Sequence, residues 1–329
     1  MHELINPTPL AAALRPGWAP NRRFQDTLIL KQTWRFALDG TLTSETQPLC
    51  EADAYHGEPL LSSLAASCET VPFKQGSELY LHGTAHPPRR GAPAMEVAVA
   101  LTHADGARWG KRLAVLGESH WQRALLGYRR SPLAALSPLP LHYEYAYGGT
   151  CPDTEQRLPE NPAGRGFNPG RGLRDNRAPQ IEWPTTLQTR PGQQVAPAGL
   201  GPLASFWTPR HQAGGTFPDE RLPEDGCPIA LDAKPDLHNA APLDQRFSHP
   251  FSGGEQLTLH GFFAEQTAPV TLTLPASLPQ VLHNDGAPLP MTCDTLVIDC
   301  DTRMVSRLFR AGLPQQRLRP VRHRLTVVL

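Results

Sequence analysis

Thirteen histidines in 329 residues make metal chemistry and acid–base chemistry the first possibilities to weigh. His82 and His86 stand four apart, a spacing that chelates a metal when both lie on one helical face. Their context is "SELYLHGTAHPP", in which His82 closes a strand-like run and His86 follows a Gly-Thr-Ala turn, so no helix aligns them. Neither a metal nor another cofactor is expected. The six cysteines, Cys50, Cys68, Cys151, Cys227, Cys293 and Cys300, form no C-x-x-C pair and read as reduced, mostly buried thiols. His211, His238 and His249 share a stretch with Asp219, Asp232 and Asp244, an inventory from which a hydrolase of glycan or peptide bonds can be assembled. No G-x-S-x-G elbow accompanies them, and Ser205 and Ser248 sit in ordinary settings. In Pro-rich coil such side chains commonly satisfy backbone groups, which favours a structural duty.

Gly164, Gly166, Gly170 and Gly172 invite comparison with a phosphate loop. That cradle needs a strand before it, a helix N-terminus after it and a G-K-[ST] signature. None is visible between Pro162 and Pro169, so these glycines are expected to serve positive φ in tight turns. Just upstream, Tyr143, Tyr145 and Tyr147 alternate, and a strand there would place all three rings on one face.

The elements around these residues read as β. "FQDTLILKQTWRFALDGTL" breaks at Asp39-Gly40, a hairpin signal. "AMEVAVALTHADGARWGKRLAVL" predicts a second hairpin about Ala104-Asp105-Gly106, with Met95, Val97, Val99 and Leu101 on one face. Because Ala98 and Ala100 make the run apolar throughout, a strand covered on both faces is expected. From Gly148 to His249 turn signals recur without helical or alternating periodicity. A loop of that length must pack as ordered coil or form a functional surface. Strand signals return in "EQLTLHGFF", "APVTLTLP" and "DTLVIDCDTRMVSRLFR", with Asp285-Gly286 as a further turn. The expected fold is mainly β, with antiparallel strands and hairpins, a long Pro/Gly-rich ordered coil and little helix. It divides as an N-terminal β-rich part (1–147), the coil segment (148–249) and a C-terminal β part (250–329) within one integrated unit.

Composition narrows the function. Lys+Arg and Asp+Glu both number 31, which gives no electrostatic reason to expect nucleic acid or an anionic membrane as partner. The cluster Arg317, Arg319, Arg322 and Arg324 lacks interleaved aromatic residues and reads as a solvated strand face or tail. No stretch has the ~18 apolar residues of a membrane span, and no leader pattern opens the chain, so a cytoplasmic protein is expected.

Several motifs then occur in a fixed order: "YEYAYGG", "NPAGRGFN", "PAGLGPLASFWTPR", "GGTF" and "HNAAPLDQRF". Upstream stand "FKQGSELYLHGTAHPP" and "KRLAVLGESHW". Together they resemble domain-of-unknown-function family 2169, which is encoded beside type VI secretion effectors. The likeness runs from Trp34 to Arg310 and is strongest from Glu144 to Arg246. It departs at Pro218 and "DERLPEDGCP", and at Glu118-Ser119-His120. The resemblance implies an adaptor or chaperone that helps load an effector, often one with a PAAR-like tip domain, onto the secretion spike, and it implies no catalytic residues. Within the motifs, Phe167, Phe206, Trp207 and Phe217 are candidate partner anchors. Asn161, Gly164, Gly166, Arg210, Asn239, Asp244 and Gln245 are candidate frame residues that hold the coil.

Overall fold

The structure is a computed structural model that describes residues 2–151, 153–169, 173–217, 226–314 and 323–329. Gly170, Gly172, Pro218, Asp219, Arg317, Arg319 and Arg322 lie outside the described residues. Strand makes up 39% of the chain and helix 3%, so the fold is mainly β.

Twelve strands build its two principal sheets. In chain order they are β1 (Ala11–Trp18), β2 (Phe24–Phe36), β3 (Leu42–Glu45), β4 (Ser77–His82), β5 (Ala94–Thr102), β6 (Arg108–Leu116), β7 (Ile181–Glu182), β8 (Arg246–Phe247), β9 (Gln256–His260), β10 (Val270–Thr273), β11 (Thr292–Asp299) and β12 (Met304–Pro314). The first sheet runs β8-β4-β11-β12-β2-β1, with β3 paired to β2. The second runs β7-β6-β5-β9-β10. All pairings are antiparallel except β4 with β11. Hairpins join β2 to β3 at Asp39-Gly40, where Gly40 has φ +88°, and β5 to β6 at Asp105-Gly106, where Gly106 has φ +86°. Both are turns that the sequence predicts, since φ in that region excludes most side chains.

The sheets face each other over one hydrophobic cluster. Leu28, Leu30, Leu79, Leu81, Leu296, Ile298 and Phe309 enter it from the first sheet, and Val97, Val99, Leu101, Leu113, Val115, Leu257 and Leu259 from the second. The coil adds Ile181, Leu200, Leu203 and Trp207 to the same cluster. All three parts of the chain therefore share one core. β5 is covered unequally: Val97, Val99 and Leu101 are buried, while on the other face Ala98 is half-buried and Ala100 exposed. The two-sided reading of this strand fails because alanine's small apolar surface loses little by facing water. The alternation of large residues is the true signal.

The opposite face of the first sheet is polar, yet residues 48–75 and 236–246 cover much of it. Lys31 Nζ lies 2.8 Å from Glu69 Oε1, and Ser67 Oγ donates to Tyr80 Oη at 2.9 Å. Arg310, nearly inaccessible to water, pairs with Asp294 and donates from Nε to the Val71 carbonyl at 2.9 Å. A polar layer that satisfies its own groups thus stands where a third sheet or helix layer would otherwise be needed.

The tyrosine run does not form the expected strand. Tyr143–Tyr145 is a single 3-10 turn and Tyr147 begins a two-residue strand. Three alternating residues are a short signal, and side-chain contacts override it: both Glu144 carboxylate oxygens accept from Ser63, from its amide at 2.8 Å and its hydroxyl at 2.6 Å. The Glu144 carbonyl accepts from Arg165 Nε at 2.9 Å. Replacing Arg310 by alanine should strand Asp294 in the interior and leave two carbonyls unpaired, at a cost on the order of 3 to 5 kcal/mol. Urea unfolding followed by tryptophan fluorescence measures it, and a loss below about 1 kcal/mol would contradict the buried pairing.

Candidate functional site

The motif "HNAAPLDQRF" folds over the edge of β4. Asn239 reads both backbone groups of Gln75: its Oδ1 accepts from the Gln75 amide at 3.0 Å and its Nδ2 donates to the Gln75 carbonyl at 3.2 Å. The amides of Ala240 and Ala241 donate to the two oxygens of Glu78, at 3.2 and 3.1 Å. Glu78 has no exposure to water and pairs with the equally buried Lys74. Burial alone would raise its carboxyl, but Lys74 and the two amides hold it below the usual carboxylate range. Five residues past Ala241, β8 pairs Arg246 and Phe247 with Glu78 and Ser77.

Past Glu78, β4 has no strand partner on this side among the described residues, and its backbone groups need substitutes. Gln245, fully buried, donates from Nε2 to the carbonyls of Leu79 at 2.8 Å and Leu200 at 2.9 Å. The Leu200 carbonyl also accepts from the Leu81 amide. Gln245 Oε1 in turn accepts from Lys111 Nζ at 2.7 Å. Lys111 rises from β6 of the other sheet, and its ammonium also lies 2.9 Å from Asp244 Oδ2 and 4.9 Å from the Trp183 ring centre. Burial pushes the Lys111 ammonium down to about 8, against the pull of Asp244. Asp244 and Gln245 therefore clasp the two sheets together.

A second knot lies at the glycine-rich stretch. Asn161 is inaccessible, and its Nδ2 donates to the carbonyls of Tyr143 at 2.8 Å and Tyr147 at 3.0 Å. Gly164 has ordinary negative φ. A Cβ there would come within 2.5 Å of Asn161 Nδ2 and 2.7 Å of the Ala146 carbonyl, so close approach rather than positive φ demands glycine. Gly166 does have φ +85°, as the turn reading expects. Arg210, almost fully buried, donates to the Leu203 carbonyl at 2.7 Å, and Asp53 lies 3.5 Å from the same nitrogen. Its main partner is thus a backbone carbonyl.

The aromatic candidates separate. Trp207 is 1% exposed and meets Tyr143 edge-on at 5.6 Å. It is a core residue and cannot anchor a partner, because its ring fills the cluster beneath the coil. Its neighbour Phe206 is half-buried and stacks on Tyr55. Phe167 and Phe217 are half-buried as well. Sequence reasoning missed a groove of about 530 Å³ beside the clasp, lined by His103, Trp109, Phe247, His249 and Pro250. Trp109 Nε1 donates to the Asp244 carbonyl at 2.7 Å, and Phe247 closes on Trp109 edge-on at 5.8 Å. It also missed Lys74, Glu78 and Lys111, although "FKQGSE" and the lone lysine in an otherwise apolar strand face were the available signals.

Asp219 lies outside the described residues, and the histidines weighed for acid–base work do not meet the other two candidate acids. Among the described residues, His211, His238 and His249 make no hydrogen bond to Asp232 or Asp244. Asp232 instead accepts from the Thr216 amide at 2.8 Å. Burial and the cations Arg210, Lys74 and Arg310 push His238 down to about 4, and burial does the same for His82. Among the described residues no cluster of three or more His, Cys, Asp or Glu side chains could hold a metal ion, and no helix is long and apolar enough to cross a membrane.

The interlock of residues 73–81 with 238–247 accounts for two widely separated motifs at once. A bacterial family described as "Uncharacterized protein conserved in bacteria (DUF2169)" matches residues 22–310. The chain belongs to this family. No curated protein and no solved structure matches it. The DUF2169 match takes in both knots and both principal sheets apart from β1 and the end of β12.

Gln245→Ala in this DUF2169 chain should remove three hydrogen bonds at a buried site and cost about 2 to 4 kcal/mol, read as a fall in urea midpoint at unchanged slope. Lys111 supplies a pH test. Its folded pKa lies below its unfolded one, so between about pH 8 and pH 10.5 the unfolded chain binds more protons, and this contribution to stability rises with pH. At pH 7 both states are charged and the full burial cost is present. Wild type should therefore gain about 1 to 3 kcal/mol relative to Lys111→Met between pH 7.5 and about pH 10. Parallel urea curves for the two proteins show it, and a constant difference would refute it.

Proposed function

We propose that this DUF2169 protein is an adaptor or chaperone that binds a type VI secretion effector, PAAR-like or toxin-bearing, in the cytoplasm and assists its loading onto the spike. The observation that supports this reading is how the motif side chains are used. Asn161, Arg210, Asn239, Asp244 and Gln245 all hold backbone or a neighbouring sheet, so the motif order describes a scaffold. What the scaffold presents, among the described residues of the coil segment, is half-buried Phe167, Phe206 and Phe217, with the groove of Trp109 and Phe247 at its margin. A preordered surface of this kind binds without the entropy cost of organising a loop, and half-buried aromatic rings are favoured anchors at protein interfaces.

Co-expression with effector genes encoded nearby tests the reading: an adaptor should co-purify with at least one of them or raise its solubility, and failure with every one would refute it. Within such a complex, Phe206→Ala should weaken capture at least tenfold with little change in melting temperature. Trp207→Ala should instead cost about 3 to 5 kcal/mol of stability as a core truncation. The reverse pattern, with Trp207→Ala folding normally but failing to bind, would sink the assignment of these two rings.

A further inference from the structure

Residues 121–130 form a separate two-stranded hairpin, Trp121–Ala124 against Gly127–Arg130, whose base is locked and whose tip is bare. At the base, Trp121 is buried and its amide donates to the Asn176 carbonyl at 2.6 Å. Arg130 lies 2.7 Å from the buried Glu182 and donates to Ser119 Oγ at 2.8 Å. At the tip, the two loop residues are Leu125 and Leu126, 100% and 97% exposed, followed by Gly127 at φ +109° and the exposed Tyr128. Two leucines break the usual chemistry of a tight turn, where Asn, Asp, Gly or Pro serve best. Such a local violation, held out on a rigid base, marks a functional position.

Behind the tip, Arg123 faces Tyr128 across the ladder and Arg129 faces Gln122. Successive strand residues point to opposite faces, so one guanidinium flanks the leucines on each face. Both arginines are exposed, and neither side chain forms an ion pair or hydrogen bond among the described residues. We propose that this hairpin is a lipid-contacting finger: Leu125 and Leu126 enter the interface of an anionic bilayer, Tyr128 sits at headgroup level, and Arg123 and Arg129 engage the phosphates. Apolar residues at the tip, an aromatic residue just behind and cations on both faces about 7 to 10 Å back match the layering of a membrane surface. A second copy of the chain fits poorly, since two tips meeting would bring four guanidinium groups together. The zero net charge of the chain predicts no general attraction to an anionic membrane; the finger is a local exception.

Co-sedimentation of the full chain with vesicles tests this, independently of any effector. Phosphatidylcholine vesicles containing phosphatidylglycerol should bind it on the order of thirtyfold more tightly than phosphatidylcholine alone, from two basic side chains near the surface. High salt should erase most of that preference. Leu125→Ser/Leu126→Ser should lose sedimentation, and Arg123→Gln/Arg129→Gln should bind anionic vesicles no better than neutral ones. Both variants should melt as wild type does, because all four substituted side chains are exposed. Absence of wild-type binding to the anionic vesicles, or equal binding by the double-leucine variant, overturns the proposal. If vesicles bind neither protein while the double-leucine variant loses a co-expressed effector, the finger belongs to a protein interface instead.

Discussion

A carboxylate sealed from water on the outer face of the first sheet constrains much of the rest of the molecule. Glu78 keeps its charge only because Lys74 and the amides of Ala240 and Ala241 surround it. An unpaired buried charge would cost several kcal/mol, so the chain must return to this place after more than 150 intervening residues. Once residues 238–247 have come back, Asn239 and Gln245 fall beside the free backbone groups of Gln75 and Leu79. Lys111 then reaches across from the second sheet. One electrostatic requirement thereby sets the closing edge of the first sheet and the join between the two.

The same device explains how the described residues between 148 and 249 are held in place with little regular structure. Helices and strands satisfy backbone groups by repetition, whereas this segment satisfies them by side chains placed one at a time. Asn161 serves two carbonyls, Gln245 two more, and Arg165 links the Glu144 carbonyl to Gln180 at 3.1 Å. Each of these residues is hard to replace, because a shorter or differently shaped side chain leaves groups unpaired. The coil in turn supplies β7 to one sheet and β8 to the other, which covers edges that would otherwise be open to pairing with another chain.

Rigidity of this kind bears on binding. A surface held by buried polar contacts is presented in one conformation, and its half-buried aromatic rings are already positioned when a partner arrives. The hairpin of residues 121–130 follows the same plan, with a buried tryptophan and a paired arginine at its base and bare leucines at its end. In both places, polar pairing inside the molecule fixes apolar groups outside it.

Much of this was legible along the chain. The alternation Val97, Val99, Leu101, the turns at Asp39-Gly40 and Asp105-Gly106, the β class and the lack of periodicity from 148 to 249 are local properties, set by sterics and by side-chain period within a few residues. The order of the motifs carried the family as well, and the structural duty of Asn161, Asn239, Asp244 and Gln245 follows from residue types that pair with coil backbone. Burial was not legible. Phe206 and Trp207 are adjacent aromatic residues, yet one is half-buried and the other lies in the core; Tyr143 and Tyr147 are buried around a turn rather than along a strand. Nor could the chain show that Lys74, Glu78 and Lys111 form one polar clasp, or that Leu125 and Leu126 stand uncovered. These outcomes depend on which segments meet across a hundred residues or more, and only the tertiary structure brings those segments together.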